Sequence, residues 1–365
     1  MKIKVLRDDL LTPLQLIANV VERRQTLPIL SNVKLTVSES GLQMVGTDLE
    51  VELQANSKVN AESLGQVTLP AKKLNDIWRS LSASENIVLE QVNDKVMIRC
   101  GGGKYSLATI GISEFPESMN TSDAETIEVN SFDFKKSVEQ VAFSMAQQDV
   151  RYFLNGMLLE FDGDVMRLVA TDGHRLAKTE MKLSAAAVTD QSAIIPRKGV
   201  LELLKIVEEV ERFDLSISDK VMTVNAGIYR FTTKLVEGQF PDYNKVIPSG
   251  GSIELNIDRM SFRESLQRAS ILSNEKYRGI RLLLSSGSLK VQANNPDQEE
   301  AEELLEVVYD GEPVEIGFNV GYILDVLSVL TCDEVRITLS DGNSSALLEG
   351  VDDSSGLYVV MPMRL

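Results

Sequence analysis

The segment VGTDLE at residues 45–50 recurs in altered form twice more along a chain of 365 residues. VATDGHRL follows at residues 169–176 and VQANNPDQ at residues 291–298, so that Thr47, Thr171 and Asn295 are separated by 124 residues in each step. A fixed long period indicates one structural unit built three times. A triplicated chain without an evident catalytic cluster is more typical of a scaffold protein than of an enzyme.

The length of the chain fits three domains of about 120 residues each. The repeat sets their limits at residues 1–122, 123–247 and 248–365. No apolar run approaches the roughly 18 residues of a membrane helix, and the first residues lack the apolar core of a signal peptide. We therefore expect a cytoplasmic protein in which Cys100 and Cys332, the two cysteines, are buried and reduced.

The net charge of −17 is unevenly distributed along the chain. Lys and Arg number 13 against 14 Asp and Glu in residues 1–122, 15 against 20 in residues 123–247, and 9 against 20 in residues 248–365. One end is thus near neutral and the other strongly acidic, which permits head-to-tail self-association. A well-solvated acidic surface accounts for the same numbers and is the simpler interpretation.

Each repeat has the pattern helix, strands, helix, strands. Apolar residues at helical spacing mark the first helix of each repeat: Leu14, Ile17, Ala18 and Val21; Val138, Val141, Ala142 and Met145; Phe262, Ser265, Leu266 and Ala269. The second helices carry the same stripe: Leu74, Ile77, Trp78 and Leu81; Val200, Leu203, Leu204 and Val207; Val320, Ile323, Leu324 and Leu327. Strand-like runs such as NVKLTV and LQMVGTDLEVEL lie between the helices. The pattern predicts an α+β fold of three tandem similar domains, each with its helices on one face of a sheet.

Basic residues gather at the predicted helices, as in Lys72 and Lys73, Lys135 and Lys136, and Arg197 and Lys198. If all helices share one face, that face is more positive than the whole protein and suits a phosphate backbone without reading bases. Lys and Arg are also good residues for any solvated helix face. Both interpretations stay open.

The sequence offers little for catalysis, cofactor binding or metal binding. His174 is the one histidine, and Asp172 would point the same way on a strand, but no nucleophile has an evident place beside them. CGGGK at residues 100–104 lacks the spacing of a phosphate-binding loop and is predicted to be a hairpin turn. We expect no catalytic residue, no cofactor and no metal. An enzyme that uses Asp172 and His174 is the competing hypothesis.

Segments from one end of the chain to the other carry a family resemblance. LPILSNVKL, ATDGHRLA, IPRKGV, NNPDQEEAEE and YVVMPMRL are similar to the bacterial sliding clamps, the beta subunits of DNA polymerase III. The resemblance implies two chains joined head to tail in a ring, with helices lining the hole and sheets on the outside. It implies a non-catalytic protein that encircles double-stranded DNA, confers processivity, and tethers the clamp loader, replicative and repair polymerases and other partners.

The resemblance also implies two sets of binding residues. The DNA-facing set is Arg24, Lys72, Gln148, Tyr152, Arg197 and Lys198. The set that binds a partner peptide rich in Leu and Phe is Leu154, Thr171, Gly173, His174, Arg175, Leu176, Pro241, Lys245, Val246, Asn343, Val359, Val360, Met361, Pro362, Met363 and Arg364. Three positions depart from the family pattern: Phe153 stands where a second tyrosine is frequent, Lys245 where arginine is usual, and Asn343 where an apolar residue is frequent.

A third implied set forms the interface between the two chains. Its basic and apolar side is Lys72, Lys73, Lys104 and Leu107. Its acidic and apolar side is Ile271, Leu272, Gln298, Glu299, Glu300, Glu302 and Glu303. A scaffold that collects peptides without binding DNA is a further alternative, and it predicts no basic face.

Overall fold

The computed structural model describes residues 1–21, 27–119, 125–185, 191–353 and 356–364. Within these ranges lie six α-helices, which are α1 Arg7–Val20, α2 Ala71–Ser80, α3 Ser131–Val141, α4 Arg197–Val207, α5 Arg259–Ser270 and α6 Val320–Val329. The strands of the same ranges are β1 Lys2–Leu6, β2 Asn32–Ser38, β3 Gly41–Thr47, β4 Val51–Ser57, β5 Asn60–Ser63, β6 Gly65–Pro70, β7 Asn86–Val92, β8 Lys95–Cys100, β9 Gly103–Ala108, β10 Thr126–Asn130, β11 Gly156–Asp162, β12 Val165–Thr171, β13 Arg175–Lys182, β14 Ser192–Pro196, β15 Arg212–Ile217, β16 Val221–Ala226, β17 Tyr229–Lys234, β18 Ile253–Asp258, β19 Gly279–Ser285, β20 Ser288–Asn294, β21 Glu300–Glu306, β22 Val314–Asn319, β23 Glu334–Leu339, β24 Ala346–Gly350 and β25 Gly356–Val360.

The chain divides into two compact units. The first unit comprises Met1–Lys135 and Lys198–Leu235, and the second comprises Lys136–Arg197 and Val236–Leu365. The first unit contains a five-stranded sheet of order β5-β1-β7-β8-β9 and an eight-stranded sheet of order β10-β15-β16-β17-β4-β3-β2-β6. The second unit contains an eight-stranded sheet of order β14-β11-β12-β13-β25-β24-β23-β18 and a four-stranded sheet of order β21-β20-β19-β22.

Each eight-stranded sheet joins two successive repeats through one antiparallel strand pair. In the first unit, β4 pairs with β17 and places Leu53 opposite Phe231. In the second unit, β13 pairs with β25 and places Leu176 opposite Val359. All four side chains are buried. Backbone pairing together with apolar burial therefore links the repeats that share a sheet.

The predicted helical stripes form the inner faces of the helices. Leu14 and Ile17 of α1 are buried, and so are Val138 of α3 and Phe262 and Leu266 of α5. The second helices behave alike: in α2 the Trp78 side chain is fully buried, and its indole N–H donates to the carbonyl oxygen of Arg7 (3.0 Å). A buried indole needs such an acceptor, so this bond fixes α2 against the start of α1.

Several details differ from the sequence-based prediction. Strand β1 precedes α1 and was not predicted, because its five residues are too short to show a clear period. The run LQMVGTDLEVEL is two strands, β3 and β4, separated by a turn at residues 48–50. α2 ends at Ser80, before Leu81, and α3 ends at Val141, where Ala142–Ser144 form a 3-10 turn. CGGGK is the predicted hairpin turn between β8 and β9.

Both cysteines carry free thiols. Cys100 is buried as predicted, but Cys332 is partly exposed, so the prediction of a buried residue was wrong there. Cys332 follows the end of α6, outside any strand or helix, and its Sγ lies against Gly350 at the end of β24. Among the described residues, no helix is long and apolar enough to cross a membrane.

Candidate functional site

The turn after β3 is built by Thr47 and Asp48, two polar residues of the repeat motif. The Thr47 hydroxyl donates to the carbonyl oxygen of Val51 (2.8 Å) and accepts from the amide of Leu49 (3.0 Å). Asp48 Oδ1 accepts from the amides of Glu50 and Val51 at 2.9 and 2.7 Å. Side chains that bond backbone amides a few residues on are the physical basis of such turns.

The same four bonds recur one repeat later, after β12. The Thr171 hydroxyl donates to the carbonyl oxygen of Arg175 (2.6 Å) and accepts from the amide of Gly173 (3.1 Å). Asp172 Oδ1 accepts from the amides of His174 and Arg175 at 2.9 and 3.0 Å. The sequence repeat is therefore a repeat of a hydrogen-bonded turn, and its Thr-Asp pair is required by the backbone.

The third repeat keeps the turn with different chemistry. Asn295 Oδ1 accepts from the amides of Asp297 and Glu299, both at 3.1 Å. One asparagine thus replaces the threonine and aspartate of the other repeats.

The expectation that Asp172 and His174 point the same way on a strand was wrong. Both lie in the turn between β12 and β13, where the Asp172 carboxylate is occupied by two amides and by the guanidinium of Arg175 (Nε to Oδ2, 3.1 Å). The exposed imidazole of His174 stacks on the ring of Tyr322, with 6.5 Å between ring centres. Among the described residues, no group of three or more His, Cys, Asp and Glu side chains is placed to bind a metal ion.

Arg175 is held rigidly within the second unit. Besides Asp172, its guanidinium donates to the carbonyl oxygen of Phe143 (2.7 Å) and to the carboxylate of Asp325 (2.5 Å). It also lies over the ring of Tyr322 at 4.5 Å. The side chain is 12% exposed, so this cation organises the turn and offers only one edge to a ligand.

Tyr322 and Asp325, both of α6, are site residues that the sequence did not reveal. They reach Arg175 from about 150 residues away along the chain. Nothing in their local pattern differs from an ordinary helix face, so no sequence signal pointed to them. Burial and the nearby Asp172 carboxylate raise the pKa of Tyr322.

An apolar cluster forms the floor beneath the turn. Its core is Leu158, Val169, Leu176, Ile194, Tyr243 and Val359, with Phe153, Val236, Phe240, Ile247, Leu347 and Leu357 packed against it. The Tyr243 hydroxyl donates to Glu160 Oε2 (2.6 Å), which satisfies the polar end of a buried ring. Burial is the main cause that raises the pKa of Tyr243.

The predicted peptide-binding residues all lie in the second unit and fall into three classes. The buried ones are Leu154, Leu176, Val359 and Val360. The half-buried ones are Thr171, Arg175, Pro362 and Met363, and the exposed ones are Gly173, His174, Pro241, Lys245, Val246, Asn343, Met361 and Arg364. Val246 and Met361 remain 49% and 44% exposed. An apolar floor with exposed apolar side chains at its rim is a surface that can take up an apolar ligand.

The C-terminal tail is attached to the site at two points. The amide of Met361 donates to the carbonyl oxygen of His174 (2.9 Å), and the amide of Met363 donates to that of Gly317 in β22 (2.8 Å). The loop that carries Asn343 lies against the same strand, because Gly342 is too close to the Glu315 carbonyl oxygen to accept a side chain. The tail and the Asn343 loop are therefore both supported by β22.

The departures from the family pattern have clear positions. Phe153 is half-buried and packs on the apolar cluster, whereas its neighbour Tyr152 is 74% exposed. Lys245 is exposed and pairs with Asp242 at 3.2 Å.

The predicted DNA-facing residues that the structure describes are divided between the two units. In the first unit, Lys72 lies at the start of α2 and Lys198 lies in the first turn of α4, where it forms an ion pair with Asp48. In the second unit, Gln148 and Tyr152 are exposed on one loop. Arg24 lies outside the described residues.

Arg197 begins α4 and belongs to the second unit. Its guanidinium donates to the carbonyl oxygens of Ala142 and Met145 at 3.3 and 3.5 Å. Burial lowers the pKa of Arg197, and the charge of Arg175 acts in the same direction.

The predicted interface residues lie on or beside the terminal strands of two different sheets. In the first unit, Lys104 is exposed on β9, and Leu107 of the same strand is buried. Lys72 and Lys73 lie in the first turn of α2. In the second unit, Ile271 after α5 is 76% exposed, and Leu272 is half-buried.

Strand β21 carries most of the predicted acidic side. Glu300 and Glu302 are exposed on it, Glu303 pairs with Arg268 of α5 (2.7 Å), and Gln298 and Glu299 precede it. The Arg268 guanidinium lowers the pKa of Glu303. Glu303 therefore keeps its negative charge at neutral pH.

Comparison with protein families gives three matches in order along the chain. Residues 1–120 match the N-terminal domain of the DNA polymerase III beta subunit, residues 128–242 its central domain, and residues 244–364 its C-terminal domain. Beta sliding clamps of Pseudomonas putida and Escherichia coli are 47% and 42% identical to this chain, with all of both chains covered.

Solved structures agree with these matches. The DNA polymerase III subunit beta of Pseudomonas aeruginosa superimposes with a TM-score of 0.96 at 46% identity over the whole of both chains. The sliding clamp of Bartonella birtlesii, solved bound to griselimycin, gives 0.96 at 36% identity, again over both whole chains. The prediction of three tandem α+β domains of the clamp type is confirmed.

Proposed function

This chain belongs to the family of DNA polymerase III beta subunits, the bacterial sliding clamps, and we propose that two copies of it close head to tail around duplex DNA. The full-length identity to beta sliding clamps carries the functional assignment. The three family matches also support domain limits near residues 122 and 247. The protein works in the cytoplasm, where bacterial DNA is replicated.

Two oppositely charged sheet edges support the head-to-tail arrangement. β9 is the last strand of its sheet in the first unit and has the sequence GKYSLA, with Lys104 exposed. β21 is the last strand of its sheet in the second unit and has the sequence EAEELLE, with Glu300 and Glu302 exposed. A terminal strand leaves one row of backbone N–H and C=O groups to pair with another chain, and opposite charges favour that pairing.

An isologous contact would place like charges together, since β9 would then meet a second β9. A contact of β9 with β21 is heterologous, and such contacts close only when the rotation between copies completes a circle. Ile271, 76% exposed beside the acidic edge, supplies apolar area to the same contact. Lys72, Lys73 and Lys104 would face the acidic residues of the partner copy.

Encirclement explains how a protein of net charge −17 can stay on duplex DNA. A ring needs no tight grip on phosphate, and cations such as Lys72, Arg197 and Lys198 need only guide the duplex. Gln148 and Tyr152 add exposed polar groups from one loop. The acidic surface elsewhere repels DNA.

The apolar floor at Leu176 and Val359, with its rim at Val246 and Met361, binds the Leu- and Phe-rich peptides of partner proteins. Methionine adapts to different side chains, which suits a site shared by the clamp loader, polymerases and repair proteins. The sliding clamp of Pseudomonas aeruginosa has been solved bound to griselimycin, so a close relative holds a ligand.

The protein performs no chemistry in this account. Asp172, the acid of the competing enzyme hypothesis, is committed to the backbone turn and to Arg175. A peptide scaffold that does not bind DNA is the alternative, and it predicts that the protein is not retained on circular DNA.

Retention on circular DNA tests the proposal. The protein, loaded onto a nicked plasmid by a clamp loader from a relative, should remain on the circle through gel filtration and leave it once a restriction enzyme linearises the plasmid. Equal retention on circular and linear DNA would rule out the topological mechanism, and no retention on either would rule out DNA encirclement.

A further inference from the structure

The loop of residues 147–154 in the second unit is held at Asp149 by the side chain of Asn155. Its Oδ1 accepts from the amide of Asp149 (2.9 Å), and its Nδ2 donates to the carbonyl oxygen of Asp149 (2.8 Å). An asparagine amide can make both bonds at once because it carries an acceptor and a donor side by side. The backbone on both sides of Asp149 is thereby fixed.

A second set of hydrogen bonds lies inside the loop, between Asp149 and Arg151. Asp149 Oδ1 accepts from the amide and from Nε of Arg151 at 2.8 and 3.0 Å, and Oδ2 accepts from Nη2 at 2.8 Å. Nη2 also donates to the carbonyl oxygen of Asp172 at 3.3 Å. The loop is therefore tied to the turn that carries His174 and Arg175.

The residues that alternate with Asp149 and Arg151 along the loop have exposed side chains. Gln148 is exposed, Val150 is 87% exposed and Tyr152 is 74% exposed. Gln148 has a φ of +58°, a left-handed conformation that is unfavourable for a residue with a Cβ. Such a conformation persists only where the surroundings impose it, and the Asn155 bonds follow directly at Asp149.

The backbone around Asn155 reaches both proposed binding sites. The carbonyl oxygen of Leu154, a buried residue of the proposed peptide-binding set, accepts from the amide of Ala146 (2.9 Å). The carbonyl oxygen of Asn155 accepts from the amide of Arg197 (3.0 Å), the first residue of α4. Asn155 thus lies between the loop, the proposed peptide-binding residue Leu154 and Arg197, the first residue of α4.

We infer that Asn155 is a positioning residue that holds the loop of residues 147–154 in the conformation required for DNA contact and for peptide binding. The inference rests on the proposed function, because it assigns Gln148 and Tyr152 to DNA and Leu154 to the peptide. Asn155 itself touches neither ligand. It acts through the backbone of Asp149 and the fixed directions of the exposed side chains.

The test is Asn155→Ala, with two affinities measured on the full-length protein. The probes are a fluorescein-labelled synthetic peptide ending in Leu-Phe and a short labelled DNA duplex, both followed by anisotropy. We expect each affinity to fall about tenfold, while the sedimentation mass stays that of the wild type. Affinities within twofold of the wild type would overturn the inference.

Asn32→Ala is the matched control. Asn32 is a buried asparagine of the first unit whose Nδ2 donates to Thr68 Oγ1 (3.1 Å). Its loss should lower the melting temperature and leave both affinities unchanged. If Asn32→Ala weakened the peptide and the duplex as much as Asn155→Ala, general destabilisation would be the cause and the inference would fail.

A double-mutant cycle with Asp149→Ala separates positioning from a local packing defect. If both residues act by holding one loop, the affinity of the double variant should be no lower than that of the single variant with the lower affinity. Independent losses that multiply would contradict the inference. A wild-type protein that binds neither probe would overturn the proposed function itself, whatever the variants do.

Discussion

Lys198 forms an ion pair with Asp48, and Asp48 holds in the first repeat the place that Asp172 holds in the second. Only 4% of the Asp48 side chain is exposed, against 26% of that of Lys198. In the second repeat the same aspartate pairs with Arg175, three residues away. A proposed DNA-binding cation is therefore partly neutralised by the repeat motif.

Asp48→Asn should strengthen duplex binding. Asparagine keeps the Oδ1 that accepts from the amides of Glu50 and Val51, so the turn survives while the charge that neutralises Lys198 is lost. We expect a two- to fivefold gain, roughly, at low salt that disappears at high salt. Anisotropy titrations of a labelled duplex across a salt series measure this.

Asp341→Asn is the matched control for that experiment. Asp341 also caps a turn, through the amides of Asn343 and Ser344, and its replacement removes one negative charge as well. An equal gain in both variants would mean that only net charge matters and that Lys198 has no special role.

The sequence predicted the fold through its period and its helical stripes. Thr47 and Thr171 marked a repeat, which the structure shows to be a turn held by the same hydrogen bonds, and Trp78 and Phe262 marked inner helix faces. Strand β1 was missed because its five residues are too short to show a period. The division of LQMVGTDLEVEL into two strands was missed because a turn made by polar side chains does not interrupt an apolar alternation.

The partners of the site residues could not be predicted. Asp325 bonds Arg175, and Asp48 bonds Lys198, each from 150 residues away. Such pairs depend on which elements the fold brings together, and a local stretch of sequence does not contain that information. The family resemblance named the peptide-binding residues, but it did not reveal the backbone hydrogen bond between the C-terminal tail and β22.

Ile271→Ala combined with Leu272→Ala should give monomers. Ile271 is 76% exposed in the single chain, and burial of such a side chain contributes about 1.5–3 kcal/mol. Sedimentation equilibrium at low micromolar concentration measures the change. Ile228→Ala with Leu201→Ala removes exposed apolar side chains of the first unit and should leave the dimer intact; a dimer in both double variants would refute the assignment.

Deletion of residues 361–365 should abolish peptide binding and preserve the dimer. The tail contributes Met361 at the rim, and its two backbone bonds to His174 and Gly317 show that it forms part of the site. A loss of about 100-fold or more is expected, equal to about 2.8 kcal/mol. Unchanged affinity for a Leu-Phe peptide in an anisotropy assay would contradict the proposed peptide-binding site.

Alkylation should distinguish the two thiols. Burial and the neighbouring carboxylate of Glu85 raise the pKa of Cys100 to about 11, so at pH 8 only about a thousandth of it is thiolate, the reactive form. Iodoacetamide at pH 8 should therefore label the partly exposed Cys332 first. Mass spectrometry of the peptides measures this, and Glu85→Gln should speed labelling of Cys100; equal rates for the two thiols in the wild type would contradict the account.

Charge reversal at the two sheet edges tests the head-to-tail ring most directly. One variant carries Lys73→Glu and Lys104→Glu, and the other carries Glu299→Lys and Glu300→Lys. Each variant alone would place like charges at both contacts of a ring. A ring made of one chain of each variant has opposite charges at both contacts. At one contact the two charges are exchanged, and at the other they are native.

The decisive measurement is the sedimentation mass of each variant and of their equimolar mixture. The head-to-tail ring predicts a mass near the 40.3 kDa of one chain for each variant alone and twice that mass for the mixture. Dimers of either variant alone, or a mixture that stays monomeric, would contradict the head-to-tail pairing of β9 with β21.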